Sequence, residues 1–174
     1  TLFPYTTLFL SRSEERRVGK ECNSFLGPVT AVYRGDALCF LGFGTKAHEE
    51  ALKQWPEAIE ISQTDLVTTL HAHFTQEATP KLLLAGTPFQ RAVWDALRAI
   101  PYGSTTTYKA IASELGRPTA VRAVANAIGQ NPISLFIPCH RVIGSTGKLH
   151  GYRWGLEVKK ALLTHETKKQ EKAC

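Results

Sequence analysis

Apolar and β-branched residues dominate positions 26–43 and are interrupted at Arg34-Gly35-Asp36, a pattern that predicts a β-hairpin with its turn there. Ala47, Ala51, Leu52 and Trp55 then recur at helical spacing over 46–55, and Pro56 ends that helix because it has no N–H to continue the ladder. Ile59 and Ile61 read as a short strand, and Leu66, Leu70 and Phe74 at i, i+4 and i+8 predict a further helix over 64–74. Thr87 and Gln90 bracket Pro88 as a capping box, so a helix starts there. Phe89, Val93, Leu97 and Ile100 line its apolar face up to Pro101.

Two short helices follow the turn Pro101-Tyr102-Gly103-Ser104. The first runs from Tyr108 to Leu115, buries Ile111, Ala112 and Leu115, and is stopped by Gly116. Pro118 starts the second, in which Val121, Val124, Ala125 and Ile128 fall at i, i+3, i+4 and i+7 and face inward. Thr119, Arg122 and Asn126 are thereby turned outward. This pattern fits a helix-turn-helix and, taken alone, fits an ordinary helical hairpin as well. Gly129-Gln130-Asn131-Pro132 breaks the second helix, and the apolar run Leu135-Phe136-Ile137 reads as a buried strand within 135–142. The last helix carries Leu156, Lys159, Leu163 and Glu166 along one stripe. An acid on an inward stripe is costly unless it is paired.

The 174 residues, 43% of them hydrophobic, suffice for one well-packed domain or a small domain with a satellite. Cys22, Cys39, Cys139 and Cys174 are widely spaced with no CxxC, which indicates neither a disulfide framework nor a zinc ribbon and points to free thiols in a reducing cytoplasm. His48, His71 and His73 lack a matched set of Cys or carboxylate ligands and read as surface histidines. The net charge is +6, unevenly spread: residues 23–80 hold three Lys/Arg against seven Asp/Glu, residues 81–174 fourteen against five. A basic C-terminal half indicates a polyanionic partner, most often nucleic acid, or a merely solvated Lys-rich surface. No stretch is long enough to span a bilayer. Residues 1–10 are apolar but carry Pro4 and no basic n-region, so they do not read as a signal peptide. With no methionine in the chain and a pattern foreign to its neighbours, residues 1–22 are set aside as a non-native or disordered leader.

The chemistry concentrates in Ile137-Pro138-Cys139-His140-Arg141-Val142. A thiolate is the reactive form of cysteine, and a neighbouring imidazole and guanidinium both favour it. Cys139 is either a nucleophile at the end of the 135–142 strand or an inert core thiol beside a histidine. Glu166, the acid on the inward stripe, completes a nucleophile, base and orienting set, with Asn131 close by.

Around these residues the chain resembles the O6-alkylguanine-DNA alkyltransferases, also called methylated-DNA-protein-cysteine methyltransferases, of the bacterial type. The likeness spans about residues 26–166 and is densest from Gly86 onward. IPCHRV stands at 137–142, and GTPFQRAVWDALRAIPYGSTTTYKAIA, RAVANAIGQNP and GYRWG agree in order and spacing. The resemblance implies an α+β fold. It comprises a small N-terminal α/β subdomain of RNase H-like type over 23–80, a mainly helical domain with a helix-turn-helix over 86–167, and a basic tail over 168–174.

It also implies irreversible, single-turnover transfer of the alkyl group from O6-alkylguanine, and from O4-alkylthymine, in double-stranded DNA to Cys139, with base flipping. The implied roles are specific. His140 activates Cys139 through a water, Glu166 orients His140, and Asn131 braces the turn that carries the thiol. Tyr108 crowds a backbone phosphate, Arg122 fills the gap in the base stack, and Thr119, Asn126 and Arg141 contact DNA. Tyr108, Tyr152 and Arg153 wall the pocket, with the Val142 carbonyl as a base-edge contact. No cofactor and no metal are expected, and the protein is expected to be a cytoplasmic monomer. Two rivals share parts of the pattern: a Cys-His-Glu hydrolase, which turns over, and a non-catalytic helix-turn-helix module, for which Cys139 is dispensable.

Overall fold

A computed structural model of the chain describes residues 7–10, 16–20, 29–56, 59–62, 70 and 79–173. They divide into two units, with the boundary between Ala85 and Gly86. The strands of the first unit are β1 (Thr7–Leu10), β2 (Arg16–Lys20), β3 (Val29–Arg34), β4 (Ala37–Phe43) and β5 (Ile59–Ser62). They form one sheet in the order β1-β5-β2-β3-β4, in which β2 runs antiparallel to β3 and parallel to β5. The β3–β4 hairpin turns at Gly35, whose φ of 60° is one that residues with a side chain rarely adopt. Nearly every residue of the hairpin is buried, and the helix α1 (Gly44–Gln54) turns Ala47 and Ala51 toward the interior. Phe40 meets Trp55 edge-on at 5.8 Å. Leu38 also exchanges backbone hydrogen bonds with the extended segment Lys81–Leu83 at 2.8 Å each way, which covers the outer edge of β4.

Two strands of this sheet, β1 and β2, come from the stretch that the hydropathy pattern had set aside as a leader. The expected helix over 64–74, with His71 and His73, lies outside the described residues apart from Leu70, which is buried.

The second unit starts with the helix α2 (Pro88–Arg98) and the expected capping box. Thr87 Oγ1 accepts from Gln90 N at 3.2 Å and Gln90 Oε1 accepts from Thr87 N at 2.7 Å. Val93 and Leu97 are buried as expected, and so is Trp94, which the periodicity had left off the face. Its indole N–H donates to the Ala127 carbonyl at 2.9 Å and so ties α2 to α4 (Val121–Gly129). Between them lie the two-residue strand β6 (Thr106–Thr107) and α3 (Tyr108–Glu114), capped by the Thr107 hydroxyl. Gly116 follows α3 with φ 67°, the left-handed conformation that closes a helix end. Pro118 does not open the next helix. Pro118 and Thr119 form a turn, and α4 begins at Val121 with Ala120 as its cap.

A further expectation fails at 135–142, which is not a strand. Ser134, Leu135 and Phe136 form a turn with Leu135 at φ 77°, Cys139–Arg141 make a single 3-10 turn, and only Val142–Ile143 (β7) pair, parallel to β6. An unbroken apolar run cannot by itself distinguish a strand from a buried turn. The last helix, α5 (Leu156–Ala173), continues through the segment read as a tail. Its inward stripe is Lys159, Leu162 and Glu166, whereas Leu156 is 45% exposed.

The α2 cap satisfies donors that have no other partner at a helix start. Thr87→Ala is expected to lower the unfolding free energy by about 1 kcal/mol, with Thr87→Ser close to the parent, as measured by denaturant titration.

Candidate active site

Asn131 follows the end of α4 and organises the turn beyond it. Its side chain accepts from Ile133 N at 3.0 Å and donates to the Ile137 carbonyl at 2.8 Å and to Cys139 Sγ at 3.0 Å. These bonds satisfy buried backbone groups in a segment that makes no sheet, and they place the thiol at the same time. Leu135 accepts its unusual φ because Ile133, Leu135 and Ile137 are almost fully buried around it.

Cys139 is 6% exposed and opens into a cavity of about 460 Å³. Burial raises its pKa, an effect opposed by the Asn131 hydrogen bond, the neighbouring Tyr152, the Lys159 ammonium and Ser134. The resting group is therefore a protonated thiol that needs a base. His140, fully buried, is next to it in the chain. Its Nε2 lies 2.9 Å from Glu166 Oε1, and its Nδ1 has no hydrogen-bond partner among the described residues. Because Glu166 is ionised, Nε2 carries the proton and Nδ1 is left as the basic nitrogen. Burial lowers the pKa of His140, Glu166 raises it, and Arg141 and Lys159 lower it.

Glu166 receives four hydrogen bonds. Besides His140, Arg141 donates from Nε to Oε2 and from Nη2 to Oε1, each at 2.9 Å, and Gly103 N donates to Oε2 at 3.0 Å. Burial alone pushes the carboxyl up, but the hydrogen bonds from His140 and Arg141 and the charge of Arg141 outweigh it and hold it at about 2. The inward acid is thus paired, as its cost requires.

Arg141 was expected to contact DNA. It is 6% exposed, bound to Glu166, to the Ile100 carbonyl at 2.7 Å and to the face of Tyr102 at 5.3 Å. Val142, whose carbonyl was expected as a base-edge contact, is fully buried, and that carbonyl accepts from Lys159 Nζ at 2.7 Å. Tyr108, Arg122, Asn131, Cys139, Tyr152 and Arg153 all line the cavity. Arg153 donates to the Asn131 carbonyl at 3.3 Å and stacks on Trp154, whose indole N–H reaches Ser134 Oγ at 2.5 Å. Arg122 and Asn126 are exposed on α4, and Thr119 is exposed in the turn before it.

Lys159 is the functional residue that the sequence analysis noted without giving it a role. It is 1% exposed and bonds the Val142 and His150 carbonyls, and burial lowers its pKa while Cys139 opposes that. Its position seven residues before Glu166 on the same inward stripe was the available signal.

A thiol with its base in place, closed in except for one cavity, marks a cysteine-nucleophile enzyme of the α+β class. Residues 88–168 match the family model described as the 6-O-methylguanine DNA methyltransferase DNA binding domain. The chain is 43% identical over 148 residues to the methylated-DNA-protein-cysteine methyltransferase of Mycobacterium tuberculosis, covering 83% of this chain and 88% of that protein. The crystal structure of the M. tuberculosis O6-methylguanine methyltransferase superposes with a TM-score of 0.73 at 36% identity, covering 93% of each chain. A crystal structure of the same protein in complex with DNA gives 0.68 at 38% identity, over 84% of this chain and 90% of that one. This chain belongs to the methylated-DNA-protein-cysteine methyltransferase family.

The Glu166 cluster sets an acid limit on folding. The carboxyl sits at about 2 in the folded protein against 4.5 ordinarily, so its stabilisation is complete above about pH 5 and is lost as pH falls toward 2. Glu166→Gln leaves the Arg141 charge buried without its counter-ion and is expected to cost about 3 kcal/mol at neutral pH. The variant's stability is also expected to change less than the parent's across the acid range in stepped-pH denaturation.

Proposed function

We propose that this chain repairs double-stranded DNA by moving the alkyl group of O6-alkylguanine irreversibly onto its own Cys139. The observation that carries the reading is the Cys139 thiol, bonded by Asn131 and beside the His140–Glu166 pair. It faces a cavity lined in part by Tyr108 and Arg122 from the helix pair. We read α3, the turn at Gly116–Ala120 and α4 as a helix-turn-helix that meets DNA through Thr119, Arg122 and Asn126, all exposed. The first unit, with β2 antiparallel to β3 and parallel to β5, fits an RNase H-like subdomain.

An O6-alkyl group inside a duplex is out of reach of a buried thiol, so the nucleotide must leave the stack, at a cost of a few kcal/mol met by the other DNA contacts. Arg122, which lines the cavity and is exposed on α4, fills the space left behind, and Tyr108 crowds the adjoining phosphate. Tyr152 and Arg153 wall the base once it is in the cavity. His140 Nδ1 takes the thiol proton through a water, and Glu166 holds the imidazolium that results. The thiolate attacks the alkyl carbon, the carbon–oxygen bond breaks with its electron pair going to guanine, and a proton returns to the base. Protein thiol and O6-alkylguanine become a thioether and guanine. Water cannot displace a thioether, so each molecule reacts once. The same ether chemistry admits O4-alkylthymine. Among the described residues no helix is long and apolar enough to cross a membrane. We place the protein in the cytoplasm as a monomer.

Mixing the full chain with a duplex carrying one O6-methylguanine is expected to add one methyl group in place of hydrogen per protein. Intact mass and peptide mapping should find it only on Cys139, and it should be absent in Cys139→Ala. A folded, DNA-binding protein that gains no mass excludes the reading in favour of a binding module. Multiple turnover of an ester favours a hydrolase.

A further inference from the structure

We infer that Arg141 is a positioning residue whose guanidinium, by occupying both oxygens of Glu166, keeps His140 neutral and ready to take the Cys139 proton. The inference rests on the alkyl-transfer reading for its rate consequence, and on the geometry alone for the state of His140.

A buried carboxylate beside a buried imidazole favours the imidazolium, because opposite charges at hydrogen-bond distance stabilise one another strongly away from water. A histidine already protonated cannot accept a proton from a thiol. Burial works against the imidazolium, and the His140–Glu166 contact of 2.9 Å works for it. Arg141 places a full positive charge on the same carboxylate through two 2.9 Å bonds, so His140 faces a nearly neutral pair rather than a bare anion.

The surroundings show that this guanidinium is held in place. Its third nitrogen donates to the Ile100 carbonyl at 2.7 Å, and its plane lies over the Tyr102 ring at 5.3 Å. The same turn supplies Gly103 N to Glu166 Oε2 at 3.0 Å, and Gly103 has φ 72°, which points its amide at the carboxylate without a side chain to strain. Thus the Ile100–Gly103 turn grips both members of the Arg141–Glu166 pair. The ionisable groups around His140 are Glu166 and Lys159 from α5, and Cys139 and Arg141 from its own turn. Only Glu166 favours the imidazolium, and it is the group that Arg141 neutralises.

Two measurements test this. The first is an NMR titration of the His140 ring in the full-length Cys139→Ser protein. A neutral ring with its proton on Nε2 throughout the neutral range is expected, and an imidazolium at neutral pH overturns the inference without recourse to any Arg141 variant. The second is the single-turnover rate of methyl transfer from an O6-methylguanine duplex against pH for the parent, Arg141→Met and Arg141→Lys. In Arg141→Met the acid limb is expected to move to higher pH, raising the ratio of rates between about pH 8.5 and about pH 6 by at least about threefold. Arg141→Lys keeps the charge and is expected to keep the limb while losing plateau rate with the two-point contact. A uniform loss at every pH in Arg141→Met would mean that Arg141 serves only folding, and the inference fails. Should Arg141→Met not fold, the limb of Arg141→Lys and the ring titration decide. A parent that transfers no methyl at any pH overturns the repair reading instead, and the titration still decides the state of His140.

Discussion

The four hydrogen bonds that converge on the Glu166 carboxylate hold the second unit's chemistry together. Glu166 comes from α5, His140 and Arg141 from the 3-10 turn, and Gly103 from the turn after α2, so three separate stretches meet at one buried charge. A buried carboxylate tolerates little displacement of its donors, because each bond lost leaves a desolvated charge less satisfied. The orientation of His140, next to Cys139 in the chain, follows from that constraint.

Against this rigid cluster the nucleophile is kept quiet. Burial favours the neutral thiol, and Asn131, Tyr152, Lys159 and Ser134 offset only part of that effect. A thiol that stays protonated until a substrate enters the cavity is protected from adventitious alkylation and oxidation, which matters for a group that reacts once. The bond from Asn131 to Sγ comes from the same side chain that satisfies Ile133 N and Ile137 O, so the unusual turn and the state of the thiol have a common cause.

The cavity sits where the rigid cluster meets the exposed helix pair. Tyr108 opens α3 and Arg122 lies in the first turn of α4, and both reach the cavity that Cys139 faces. The Trp94 hydrogen bond to Ala127 fixes α4 from behind. The exposed helix pair is thereby held in register with the cavity that Cys139 faces. The excess of Lys/Arg after residue 81 adds the long-range attraction.

Much of this was legible along the chain, for stated reasons. The capping box at Thr87, the stop at Gly116 and the outward set Thr119, Arg122 and Asn126 are local features, decided by residues within one or two turns. Glu166 was recognisable because an acid on an inward stripe must be paired, and the same logic applied to Lys159 would have found it. Three things escaped. The run 135–142 folds as turns because Asn131 supplies the hydrogen bonds that a neighbouring strand would otherwise provide, and that substitution is invisible in hydropathy. The strands β1 and β2 lie in a stretch whose pattern matched neither neighbour, and their pairing is non-local. Arg141 sits beside His140 in sequence, where a charge next to a reactive thiol reads as free to reach DNA. Only the tertiary structure brings Glu166, Ile100, Tyr102 and Gly103 around it. The sequence by itself determined where most helices of the second unit lie, the greater part of their buried faces, and Cys139 as the candidate nucleophile. Which partner each buried charge takes was decided by packing, because desolvation makes a charge depend on groups distant in the chain.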